Sequence, residues 1–176
     1  MNDLHYQPQQ TATMPNAEQL KHLRKLVEKA KVGMFTTIDR AQELRSRPLH
    51  TVQMDDDGSL WFVVATASPK TQEVNEHEGK VCLAYANHGD QEYVSITGHA
   101  SLVRDSAMKE KIWNKMIDVW FPKGDKDPNV AMLKVVPERA EYWDGPSNTV
   151  TQLYAFAKAM ATGNKDAFGE NAKLKF

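Results

Sequence analysis

The spacing of apolar and polar positions divides the chain into an opening helix and a long run of strands. Leu20, Leu23, Val27 and Ala30 recur at helical spacing with charges between them, so a helix is expected from an Asn16 cap through Lys31. Gly33 ends that pattern. Met34–Ile38 then reads as a strand, Arg45–Met54 as a second, longer one, and Leu60–Ala65 as a third. Between the last two lies Asp55-Asp56-Asp57-Gly58, a hairpin turn by composition, because Asp and Gly tolerate the positive φ such turns need.

Ser68-Pro69-Lys70-Thr71 opens a short helix to about Glu78, with serine as N-cap and proline in the first turn. Lys80–Ala86 and Tyr93–Val103 read as further strands, the second with a bulge at Gly98. Ser106 is expected to cap a helix to Trp120 that places Ile112, Met116, Val119 and Trp120 on one face. After a Pro/Gly/charge-rich loop at Phe121–Asn129, Val130–Val136 and Glu138–Trp143 form a last strand interrupted at Pro137. A loop at Asp144–Asn148 and a helix at Thr149–Ala161 follow. Strands joined by turns, without regular strand–helix alternation, indicate an α+β domain on an antiparallel sheet. The domain is expected over residues 16–162, with a disordered segment at 1–15 and a flexible tail at 163–176.

Composition narrows the function. The formal net charge of −1 gives no basic face for nucleic acid. The longest strongly apolar run, Leu60–Ala65, is far too short to cross a membrane. The opening residues show no basic cluster followed by an apolar stretch, and the expected location is the cytoplasm. The single cysteine, Cys82, sits in an apolar strand and reads as a small hydrophobe. The six histidines lack metal-ligand spacing, and no nucleotide-binding glycine loop or nucleophile elbow is present.

Two segments carry candidate chemistry. Ser68-Pro69-Lys70 puts a hydroxyl, a helix start and an ammonium within three residues, an arrangement that attracts anions. A plain N-cap with a surface lysine is the alternative. Arg45-Ser46-Arg47-Pro48-Leu49 projects two guanidinium groups from one strand face, where a phosphate between them would relieve their repulsion. A solvated strand face is the alternative there. A hairpin about the Asp-Gly turn would set Arg45 and Arg47 across from Thr66, Ser68 and Lys70. Trp143 could lie against a planar ligand or pack in the core.

Taken together, Arg45-x-Arg47-Pro48-Leu49, Leu60-Trp61-Phe62-Val63-Val64-Ala65 and Ser68-Pro69-Lys70 resemble the pyridoxamine 5′-phosphate oxidase-like FMN-binding split barrels. The general stress protein 26 group is the nearest likeness, through Phe121-Pro122-Lys123-Gly124, Asp127-Pro128-Asn129 and Glu141-Tyr142-Trp143-Asp144. The resemblance implies a six-stranded split barrel with flanking helices and a homodimer binding FMN, or alternatively FAD, between subunits. By it, Arg45 to Leu49 would line the flavin, Val63, Val64, Ala65 and Thr66 would border it, and Ser68 and Lys70 would hold its phosphate. Trp143 would approach from the partner subunit. The oxidases also carry an Arg-Leu-His motif for their substrate, and the equivalent Arg and His positions are Thr149 and Thr151 here. Oxidation of pyridoxine phosphate is therefore not expected. The remaining alternatives are a flavin-dependent oxidoreductase, a flavin sensor or storage module without turnover, and a split barrel for F420 or haem.

Overall fold

In a computed structural model that describes residues 13–145 and 170–176, the first helix forms as its spacing predicts. The Asn16 side chain accepts from Gln19 N–H at 2.9 Å, and the Gln19 side chain accepts from Asn16 N–H at 3.1 Å, a reciprocal cap on α1 (Ala17–Ala30). Leu23, Leu26 and Val27 are buried by this helix.

The strands are β1 (Val32–Ile38), β2 (Leu44–His50), β3 (Gln53–Met54), β4 (Leu60–Ala65), β5 (Lys80–Asn87), β6 (Glu92–Val103), β7 (Val130–Asp144) and β8 (Glu170–Lys175). The helices after α1 are α2 (Pro69–Glu76), α3 (Ser106–Ile112) and α4 (Lys115–Trp120). All strand pairs are antiparallel, in the order β2-β1-β5-β6-β7-β4-β3, with β8 added to β7. The α+β class is thus observed. Among the described residues the sheet has eight strands instead of the six expected.

The long second strand of the sequence reading is two strands. Thr51 N–H donates to Lys31 O beside β1, and Val52 N–H donates to Trp61 O in β4, each at 2.8 Å. Consecutive residues therefore bond to opposite ends of the sheet. β2 pairs with β1, and only Gln53-Met54 pairs with β4 across the Asp-Gly turn. The curl explains the split: one straight strand could not reach both partners.

β7 runs unbroken through Pro137, which stands opposite Gly98 where β6 and β7 shift register. Glu138 is the extra residue, and its carbonyl accepts from Phe176 N–H at 2.9 Å. A Cβ on Gly98 would lie 2.2 Å from the Val136 carbonyl oxygen, so the bulge needs glycine. One edge of β7 serves two strands: Val130–Val135 pair with β4, and Arg139–Asp144 pair with β8.

Alternation along the apolar run of β4 feeds two cores. Phe62 and Val64 join Phe35, Leu83, Ile96, Leu133 and α1 inside the curl, while Trp61 and Val63 join Val130, Met132, Ile112 and Ile117 outside it. The helix predicted from Ser106 to Trp120 breaks at Trp113-Asn114. Asp105, not Ser106, caps α3 by accepting from Met108 N–H at 3.0 Å, and Asn114 caps α4. Each short helix buries one isoleucine, Ile112 and Ile117, and leaves Met116, Val119 and Trp120 outside.

Residues 170–176 are not a loose tail: Leu174 is fully buried in the main core. Thr13 bridges Leu174, so the described part of the opening segment is also tied down. The remainder of Asp144–Asn148 beyond Gly145, and the Thr149–Ala161 helix, lie outside the described residues. No described helix is long and apolar enough to cross a membrane.

Candidate functional site

Ser68 occupies the N-cap position of α2 with extended backbone, and Pro69 fills the first turn. Its hydroxyl does not cap the helix; it lies 3.4 Å from the Thr71 hydroxyl. Thr71, almost fully buried, instead donates to Thr66 O at 2.8 Å and fastens the turn between β4 and α2. Lys70, in the first turn, is half-buried, and no carboxylate stands within ion-pair distance of it among the described residues. Burial, and then the nearby Arg47 charge, push its ammonium below the ordinary lysine range.

The arginines of β2 have different fates. Arg45 and Arg47 share a strand face, as alternation predicts, and each bonds a carboxylate of the protein itself. Arg45 Nε donates to Asp39 at 2.8 Å, and this bond holds the Asp39 carboxyl below its ordinary range. Arg47 Nη1 donates to Thr37 Oγ1 at 2.7 Å and to Glu73 Oε2 at 2.8 Å, and its Nη2 donates to Glu73 Oε1 at 3.3 Å. The Thr37 hydroxyl, 1% exposed, donates to the same Glu73 oxygen. Burial alone would raise the Glu73 carboxyl, but the Thr37 and Arg47 hydrogen bonds outweigh it and hold the group below the usual carboxylate range.

The structure therefore brings Arg47 and Lys70 together, though not by the expected hairpin. Arg47 reaches α2 from β2 beside β1, since its register partner is Phe35 and Thr37 pairs with Arg45. Glu73 is the residue the sequence reading missed. Its signal was spacing: Lys70, Glu73 and Val74 fall on one helix face, and Val74 is buried.

The other predicted positions separate. Ser46 and Pro48 face away from this cluster: Ser46 accepts from Thr36 Oγ1 at 3.0 Å, and Pro48 stands opposite the exposed Met34. Leu49 packs against the main core. Val63, Val64 and Ala65 pair with β7 on one edge, and β3 stops at the level of Leu60 and Trp61, so no described strand pairs with their other edge. The Val63 and Val64 side chains are buried, which leaves backbone as what that edge can offer. Thr66 spends both its amide and its hydroxyl on Asn129 O. Trp143 is 41% exposed beside Tyr93 and Asn171, at the opposite end of β7 from the Ala65–Val130 pair.

A cleft of about 290 Å³ opens between Thr66, Arg104, Ser106 and Lys109 over a floor of Val130 and Ala131. Of the predicted site residues only Thr66 lines it. No cluster of metal-ligating side chains occurs among the described residues.

The profile of the family described as "Pyridoxamine 5′-phosphate oxidase like" matches residues 18–167. General stress protein 26 of Bacillus subtilis is 26% identical over 125 residues, covering 70% of this chain and 86% of that protein. Protein bli-3 of Neurospora crassa is 26% identical over 160 residues, covering 85% of this chain and 76% of the relative. A crystal structure from Jannaschia sp. CCS1, described as a general stress protein 26, superposes with a TM-score of 0.74 at 26% identity, covering 90% and 99% of the two chains. The general stress FMN/FAD binding protein of Xanthomonas citri shares the fold, with a TM-score of 0.63 at 24% identity over 73% of this chain and 90% of that one.

Proposed function

Because the chain belongs to the pyridoxamine 5′-phosphate oxidase-like family, we propose that it binds a flavin phosphate, FMN in first place and FAD in second, as a cytoplasmic homodimer. The observation that carries this reading is Lys70: a half-buried ammonium in the first turn of α2, which no carboxylate of the described residues approaches to ion-pair distance. A buried cation gains most from a ligand that supplies the missing anion. The FMN/FAD binding of the Xanthomonas citri neighbour supports the same choice of ligand.

The residues fit the group in two ways. Lys70 and the Ser68 hydroxyl suit a phosphate, and the edge of Val63–Ala65 that no described strand pairs offers backbone groups to a planar ring. Trp143 lies at the far end of β7 from that edge, so within one chain it does not join the site. A second copy is the route by which its exposed ring would reach the flavin. The bound flavin would supply hydride and electron chemistry; the chain's own residues bind and orient it.

Binding without turnover is the second reading, favoured by Thr149 and Thr151 at the positions where the oxidases carry substrate-gripping charges. The absorption spectrum of the purified protein and a fluorescence titration with FMN and riboflavin test the first reading. Yellow protein, or quenching by FMN stronger than by riboflavin, is expected. A colourless protein that quenches neither refutes it. Nicotinamide-dependent reduction of the bound flavin then separates enzyme from carrier.

A further inference from the structure

The cleft beside α3 is lined by two cations that the fold leaves unpaired. Arg104 follows the end of β6, Lys109 lies in α3, and both belong to its wall. Neither side chain makes a hydrogen bond or ion pair among the described residues, and neither does the Ser106 hydroxyl beside them. The carboxylate of the wall, Asp105, spends its Oδ1 on the Met108 N–H at 3.0 Å. Thr66 has no donor to offer, since its amide and its hydroxyl both go to Asn129 O. The floor is apolar and buried: Val130 is 6% exposed and Ala131 3%.

Two cations on one cleft repel each other until an anion joins them, and an apolar floor rewards a ligand with a compact hydrophobic body. The volume of about 290 Å³ is at the small end for organic ligands and suits a single ring or a short chain. Asp105 leaves the wall one positive charge in excess, which favours a monoanion over a phosphate dianion. We propose that the cleft binds a small organic monocarboxylate. Arg104, Lys109 and the Ser106 hydroxyl hold the carboxylate, and Val130 and Ala131 carry the apolar body. Arg104 is exposed and Lys109 half-buried, so water screens both charges in part and the site is a weak one. The proposal goes beyond the flavin reading and does not rest on it, because neither Arg47 nor Lys70 lines the cleft.

The test is a titration of the full-length protein with benzoate, followed by amide chemical shifts in two-dimensional NMR. Benzyl alcohol serves as the uncharged counterpart and phenyl phosphate as the dianion, with thermal midpoints as the fold control. Benzoate should shift the amides of Ser106, Lys109, Val130 and Ala131 and bind about fivefold or more tighter than benzyl alcohol. Phenyl phosphate should bind more weakly than benzoate. Arg104→Gln with Lys109→Gln keeps polar side chains but removes both charges; benzoate should weaken to the level of benzyl alcohol, and benzyl alcohol should stay within about twofold. Lys70→Ala should leave benzoate within about twofold of the parent.

Absence of these shifts up to the solubility of benzoate overturns the proposal, and so does equal affinity for benzoate and benzyl alcohol. A folded double variant that binds benzoate as the parent does overturns it too; Arg104→Gln alone, at an exposed position, decides the matter if the double variant fails to fold. Phenyl phosphate binding tighter than benzoate overturns the assignment to a monocarboxylate. Benzoate lost in Lys70→Ala, or displaced from the parent by FMN, puts the anion in the flavin site and overturns the separate cleft. A parent that binds benzoate in the cleft and no flavin supports this proposal and refutes the flavin reading alone.

Discussion

Phe176 closes over Gly58. The glycine sits at φ +87° in the Asp-Gly turn, and a Cβ there would meet the Phe176 ring at 2.5 Å. The end of β8 is thereby packed onto the β3–β4 turn. Gly58→Ala should destabilise the protein by about 1–3 kcal/mol, from left-handed backbone strain plus crowding. Adding Phe176→Ala should relieve the crowding but not the strain. Urea unfolding of the single and double variants measures the difference; strictly additive losses would show that the ring does not crowd position 58.

Leu174 is the second anchor of β8. It is fully buried among residues of the main core, so Leu174→Ala should cost about 2–5 kcal/mol, as large-to-small core changes do. The neighbouring Lys175→Ala, on the exposed side, should cost far less. Chemical denaturation of both variants checks this, and equal small losses would mean that β8 is not part of the cooperative core.

Acid should unfold the Arg47 cluster in a defined window. The Glu73 carboxyl is lowered in the folded protein from an ordinary value near 4.5, and Asp39 and Glu76 are lowered by Arg45 and Arg40. A depressed folded value means the stabilisation is fully present above the unfolded value and is lost as pH falls through the folded one. Stability should therefore hold to about pH 4.5 and decline below it. The pair variant Arg47→Met with Glu73→Leu should show a shallower decline in thermal midpoint between pH 5 and 3, a window chosen on the same linkage.

Lys70 gives a window at the alkaline end. Its ammonium titrates below the ordinary 10.5, from burial and then from Arg47. The extra affinity for FMN over riboflavin should be constant at neutral pH. It should fall as pH rises through that lowered value, before an exposed lysine would lose its charge. Parallel titrations with the two flavins at rising pH measure the ratio; a ratio that stays flat until the ordinary lysine range would remove Lys70 from the phosphate contact.

Local chemistry made much of the fold legible. The Asn16 cap, the Ser68-Pro69 helix start and the Leu60–Ala65 strand are each set by residues within a few positions. The failures share a cause in tertiary structure. Nothing within Arg45–Met54 signals that Thr51 and Val52 bond to opposite ends of the sheet. Pro137 reads as a strand breaker until Gly98 is seen opposite it. The short, lysine-flanked Leu174 becomes a core residue only beside β7. At the site, the expected hairpin placed Arg47 and Lys70 near each other, and like-charge logic assumed that an external anion would lie between the arginines. The protein's own carboxylates, Asp39 and Glu73, occupy both, and Glu73 lies 26 residues beyond Arg47 in the chain.

The two-residue link at Thr51-Val52 joins the first and last strands of the sheet order. A sheet whose two ends are tied by covalent chain has little open border on which foreign strands could grow. The border along β2 carries Arg45, Arg47 and Pro48, and proline and charge are devices that discourage edge-to-edge pairing. The same short motif thus guards the β2 border against aggregation, so substitutions there should be watched for lost solubility.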